Sequence, residues 1–142
     1  MTDQTGRAEA IASIAHRGQV DKLGQPYIEH PRRVAAAFEP GTIEHCAAWL
    51  HDVIEDTDVT ANDLRAAGVT PQIVDVVELL TRRPDVPSEL YYERIRLSPS
   101  AKAVKLADIA DNTAPWRVAG LDVATQERLA EKYRKARTAL NP

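Results

Sequence analysis

Ile43, Ala47, Leu50 and Ile54 recur at i, i+4, i+7 and i+11. That spacing puts four apolar side chains on one face of a helix. Cys46 and Val53 widen the face, so the segment predicts a helix packed against a core. Yet His51 and Asp52 stand between Leu50 and Val53, and Glu55 and Asp56 follow directly. Such groups are costly to bury unless they are paired or bound to a metal ion. An imidazole and three carboxylates inside an apolar helix therefore point to a metal-dependent hydrolytic site.

Helical patterns recur along the rest of the chain, and strand patterns are nearly absent. A helix is expected over 5–19, with Thr5 as N-cap and Ala8, Ile11, Ala12 and Ala15 on one face. Gly24 and Pro26 break the following segment into a loop. The next helix begins after His30, with Pro31 in its first turn and Val34, Ala35 and Phe38 turned inward. Pro40-Gly41 ends it, and Thr42 is placed to cap the helix that follows. Thr60 with Asp63 resembles a capping box for a helix over 61–67. Further helices are expected over 71–80, 88–97, from Ser98 to near Pro115, and over 122–139. The expectation is an all-α, compact helical bundle: one domain over residues 1–142, built of seven to nine helices.

The length of 142 residues allows burial of about two-thirds of the surface that the unfolded chain exposes, so no disulfide staple is required. Cys46 is the only cysteine, suits a reducing compartment and reads as a small core residue. The balance of 18 Lys and Arg against 21 Asp and Glu leaves a net charge of −3. A weakly negative field argues against a nucleic-acid or anionic-membrane partner but permits a small phosphorylated substrate held locally. No apolar run approaches membrane-spanning length, and the first residues lack a signal-peptide pattern, so a cytoplasmic location is expected. Oligomeric state is not legible.

Two further residues join the group. His30 sits at a loop–helix junction, where it is either a ligand or a cap-like histidine. Asp108 lies in an apolar helical run, with Lys105 one turn before and Asn112 one turn after; it is either a ligand or an acid paired with Lys105 or Lys102. His30, His51, Asp52 and Asp108 together offer nitrogen and oxygen donors without a thiolate. Such a set suits Mn²⁺, Fe²⁺, Co²⁺ or catalytic Zn²⁺. Glu55 and Asp56 would then position or deprotonate a water. Tyr27 sits beside His30 in a loop that could line a pocket. Arg82, Arg83, Arg94 and Lys105 are candidates to meet substrate phosphates. His16 reads as a packed histidine or a neighbour of the site, His45 as partly exposed and structural, and Trp49 and Trp116 as core.

The segments Ala15-His16-Arg17-Gly18-Gln19, Pro26-Tyr27-Ile28-Glu29-His30-Pro31, Leu50-His51-Asp52-Val53-Ile54-Glu55-Asp56-Thr57 and Val104-Lys105-Leu106-Ala107-Asp108 with Asn112 resemble the HD-domain metal phosphohydrolases. The likeness is to the hydrolase domain of Rel/SpoT alarmone enzymes and to the small alarmone hydrolases. It implies that His30, His51, Asp52 and Asp108 hold a metal, usually Mn²⁺, and that Glu55 and Asp56 activate the attacking water. It further implies that Lys22, Asn112 and the loop around Thr81-Arg82 contact a guanosine nucleotide, and that the reaction removes pyrophosphate from the 3′ position of (p)ppGpp. Two departures stand out. Asp21-Lys22 replaces the usual Arg-Lys pair, and Asp108-Ile109-Ala110-Asp111-Asn112 replaces the usual Asp-Arg-Leu-His-Asn.

Overall fold

Helix α3 (Ile43–Leu50) is the hub of the molecule, whose computed structural model describes residues 3–142. Its Cys46, Ala47, Ala48 and Leu50 are fully buried, and Trp49 nearly so. Three small side chains in a row of six let neighbouring helices come close. Accordingly α3 touches α1 (Gln4–Ala15), α2 (Glu29–Ala35), α6 (Pro71–Leu80) and α8 (Pro99–Asn112). Around these lie α4 (Val53–Asp56), α5 (Ala61–Ala66), α7 (Ser88–Arg96), α9 (Pro115–Val118) and α10 (Val123–Leu140). The chain is all-α. Among the described residues, extended pairing is limited to one bridge between Val20 and Pro26, which pinches the 20–26 loop. Among the same residues, no helix is long and apolar enough to cross a membrane.

Local chemistry sets most boundaries. Thr42 caps α3 by accepting the His45 N–H, and Thr60 with Asp63 forms a reciprocal capping box on α5. Ser98 caps α8 and Asp122 caps α10. Gly68, at φ +89°, turns the chain out of α5 through the left-handed region.

Several sequence expectations are corrected. Helix α1 is capped by Asp3, which accepts the Thr5 N–H, while the Thr5 hydroxyl takes the Gly41 N–H. It ends at Ala15 rather than 19, because the chain passes into a turn through Gly18 at φ +83°. His45 is buried, not partly exposed: its Nδ1 donates to the Ala35 carbonyl and its Nε2 accepts the Trp49 indole N–H. Trp116 is 59% exposed rather than core, and the guanidinium of Arg33 lies over it. Helix α9, opened by Pro115, has no counterpart in the expected pattern, and the described residues hold ten helical segments rather than seven to nine.

The most consequential correction falls on the opening segment. The helix does not run unbroken to Asp56; it stops at Leu50 and resumes as α4 at Val53. The His51 Nδ1 donates to the Ala48 carbonyl at 2.6 Å, the acceptor that the Asp52 N–H would use in a continuous helix. Asp52 takes φ −104° and ψ 0°, the sparsely allowed bridge region. The break lets two adjacent residues aim at one point, which a straight helix would splay by about 100°.

Candidate active site

Three stretches of the chain meet at that break. Helix α2 brings His30 from its first turn, the α3–α4 junction brings His51 and Asp52, and α8 brings Asp108. One ligand atom from each of the four lies within 4.8 Å of every other. His30 and His51 are buried at 2% and 3% exposure, and Asp108 at 6%. The His30 Nε2 stands 2.9 Å from Asp108 Oδ1, and the His51 Nε2 stands 3.2 Å from the same oxygen and 3.0 Å from Asp52 Oδ2. The rings of His30 and His51 meet edge to face at 5.2 Å.

Partners around the cluster hold it in place. The Tyr27 hydroxyl donates to Asp52 Oδ2. Lys105 and Asn112, one turn either side of Asp108, donate to its two oxygens at 3.2 and 3.1 Å. Burial opposes charge throughout, but the acids win at the histidines. Hydrogen bonds to Asp108 and Asp111 raise the basicity of His30, and the charges of Asp52 and Asp108 raise that of His51 further. In return, His51, His30 and Lys105 hold the Asp108 carboxyl well below the usual carboxylate range. Imidazole nitrogens and carboxylate oxygens aimed at one point form a donor set suited to a divalent transition ion. The cluster is therefore able to bind a metal.

Glu55 and Asp56 stand beside it. With Asp52 they form a second group whose oxygens lie within 4.8 Å of one another. Partial burial raises both carboxyls above their ordinary range, with Asp52 adding like-charge repulsion. The Arg82 backbone N–H donates to Glu55 Oε1 at 2.6 Å and leaves the other oxygen free.

These acids open onto a cavity of about 480 Å³, lined among others by Lys22, Tyr27, Asp52, Lys105, Asp108 and Asn112. Arg82 lies outside it. It lines an adjoining space of about 120 Å³ that shares Asp52, Glu55, Lys105 and Asp108. Arg83 and Arg94 face a different groove with Asp75 and Glu78, which separates them from the cluster. His16 is buried against the ring of Tyr27; its Nδ1 meets Gln19 Oε1 at 2.9 Å, and its Nε2 has no hydrogen-bond partner among the described residues. Asp21, the acid at the first departure, turns back on its own loop and accepts the Leu23 and Gln25 N–H groups.

Sequence reasoning missed Asp111, Arg117 and Lys132. Asp111 and Arg117 touch His30, and Arg117 and Lys132 line the cavity. The i, i+3 spacing of Asp108 and Asp111 was available as a signal. Arg117 and Lys132 gave none, because α9 and α10 reach the site only through the fold.

No protein-family model matches the chain. The guanosine-3′,5′-bis(diphosphate) 3′-pyrophosphohydrolase of Haemophilus influenzae is 35% identical over 120 residues, covering 78% of this chain and 18% of that one. The human guanosine-3′,5′-bis(diphosphate) 3′-pyrophosphohydrolase MESH1 is 37% identical over 114 residues, covering 71% of this chain and 63% of that one. A solved structure described as a metazoan ortholog of SpoT that hydrolyzes ppGpp superposes with a TM-score of 0.80 at 25% identity, covering 99% of this chain and 87% of that one. The chain is homologous to the (p)ppGpp 3′-pyrophosphohydrolases. It shares with them the HD-type helical fold, and it spans about a fifth of the length of the bacterial relatives, as in the 18% covered in the Haemophilus protein.

Proposed function

We propose that the chain acts as a single HD-type unit and is a metal-dependent phosphohydrolase that removes pyrophosphate from the 3′ position of (p)ppGpp. The observation that carries this reading is the meeting of His30, His51, Asp52 and Asp108 beside Glu55 and Asp56, with the four acids at the wall of one cavity, in a homologue of enzymes named for that reaction. The four residues would hold Mn²⁺, and the ion would supply Lewis-acid polarisation of a phosphate oxygen and a lowered pKa for a water.

The remaining work falls to the chain. Glu55, with one oxygen pinned by the Arg82 N–H, keeps the other to accept a proton from the attacking water. Burial raises its affinity for that proton, and Asp56, raised for the same reason, is placed to pass it on. Tyr27 keeps Asp52 oriented, as Lys105 and Asn112 keep Asp108. Lys22, Arg117 and Lys132 supply positive charge along the cavity, where a nucleotide's phosphates would sit, and Arg82 does so at the adjoining space. A small nucleotide is therefore the proposed partner and the cytoplasm the proposed location.

The test is to offer Mn²⁺-loaded protein (p)ppGpp, GTP, GDP and NADPH, and to read phosphate against pyrophosphate. Pyrophosphate from (p)ppGpp, with GDP or GTP as co-product, is expected. Inert (p)ppGpp alongside turnover of another nucleotide would overturn the substrate while keeping the chemistry.

A further inference from the structure

Each histidine of the cluster has a second ring nitrogen, and the two are held differently. The Nδ1 of His51 donates to a neutral acceptor, the Ala48 carbonyl. The Nδ1 of His30 meets a carboxylate, Asp111 Oδ2, at 2.6 Å. Asp111 is itself locked. Arg33 donates to it through Nε at 2.7 Å and through its terminal nitrogen at 3.1 Å, and Arg117 donates at 3.0 Å. Arg117 also reaches Asn112 Oδ1 at 2.7 Å, tying the clamp to the residue that donates to Asp108.

The side chain of Asp111 is only 10% exposed, and Arg117 only 12%. An acid–arginine pair on an open surface would contribute little and specify nothing. Here both carboxylate oxygens are engaged, and one is aimed at an imidazole. Arg117 also approaches the His30 Nδ1, at 3.3 Å. Both contacts cannot be hydrogen bonds to the same nitrogen, because a guanidinium only donates and an ionised carboxylate only accepts. The shorter, charge-assisted bond to Asp111 prevails and puts the proton on Nδ1.

We infer that Asp111 is a positioning residue: it fixes His30 with its proton on Nδ1 and its Nε2 free to ligate, while Arg33 and Arg117 keep Asp111 from entering the cluster itself. The inference rests on the reading of His30 as a metal ligand. A carboxylate behind a metal-binding histidine orients the ring and makes the ligating nitrogen more basic. Asp111 occupies the position where the resembling enzymes' Asp-Arg-Leu-His-Asn pattern has histidine, so the arrangement belongs to this chain's own sequence.

The experiment compares wild-type protein with Asp111→Asn and Asp111→Ala. Dissociation constants for Mn²⁺ and Zn²⁺ are measured by competition with a chelating dye, alongside melting temperatures of the metal-free proteins. Asp111→Ala is expected to bind metal about tenfold to a hundredfold more weakly. Asp111→Asn, isosteric and retaining one acceptor oxygen, should fall between, and it carries the test if the alanine variant fails to fold. Long-range ¹H–¹⁵N correlation spectra of the Zn²⁺-loaded protein should show His30 protonated at Nδ1 in the wild type, with that signal lost or averaged in Asp111→Ala. Wild-type affinity in both variants, or a His30 bound through Nδ1, overturns the inference alone. A wild-type protein that binds no divalent ion overturns both the inference and the reading beneath it.

Discussion

One wall of the site is carried by α2, the α3–α4 junction and α8, where His30, His51 and Asp108 are buried and the second ring nitrogen of each histidine has a hydrogen-bond partner. The other wall comes from the 20–23 loop, α9 and α10, where Lys22 and Lys132 are exposed and the Lys132 ammonium lies over the ring of Tyr133. The first wall is rigid because its backbone is the core itself: Leu50 and Val53, which flank His51 and Asp52, are both fully buried. The second wall is charged and crowded. Burial and the neighbouring Arg128, Lys132 and Arg117 make Lys22 a weaker base than an isolated lysine. Cations that repel one another gain on meeting a polyanion. Chemistry on phosphate needs both kinds of wall, one to place reacting atoms and one to tolerate a mobile, highly charged ligand.

Breaking the rigid wall should have the largest effect. Asp52→Ala removes an acid that faces both histidines, and it is expected to abolish metal binding and activity together, read by metal analysis and pyrophosphate release. Glu55→Gln should retain the metal yet slow turnover by about a hundredfold. The same residue sets a pH dependence. Because burial lifts its carboxyl, the base form is lost at a higher pH than for an ordinary glutamate. The acid limb of kcat should therefore lie above the usual carboxylate range and flatten in Glu55→Gln. Leu50→Ala, directly behind the cluster, should cost about 3 kcal/mol of stability by the cavity it leaves, measured by denaturant unfolding. The smallest effect belongs to the exposed wall. Lys132→Met should raise KM about two- to fivefold and leave kcat nearly unchanged, because an exposed charge contributes up to about 1 kcal/mol of uniform binding. A large fall in kcat there would mean that the two walls do not divide the work in this way.

The same division explains what was readable beforehand. Apolar periodicity placed both ends of α6 and the starts of α3 and α8 to within a residue, because each has one face that must be buried. Acids and histidines set within those faces stood out because burial makes them expensive. Arg117 and Lys132 did not stand out, since a cation on a polar helix face looks like any solvated residue. The break at His51 was hidden for a different reason. It depends on a side chain capturing a backbone carbonyl, and the apolar pattern runs across it unbroken from Leu50 to Ile54.

Taken alone, the sequence determined an all-helical chain and singled out His51, Asp52, Glu55 and Asp56, while His30 and Asp108 stayed open between ligand and structural roles until the resemblance to the HD-domain hydrolases joined them to the set. The helices and those first four residues follow from local rules: period, capping, and the cost of placing charge in apolar surroundings. Tertiary structure alone decided which loop and terminal helix close the cavity, that Arg83 and Arg94 face elsewhere, and that Asp111 rather than solvent meets the second nitrogen of His30. The physical reason is distance along the chain. His30 and Asp111 are 81 residues apart, and only the packing of α2 against α8 brings them within a hydrogen bond.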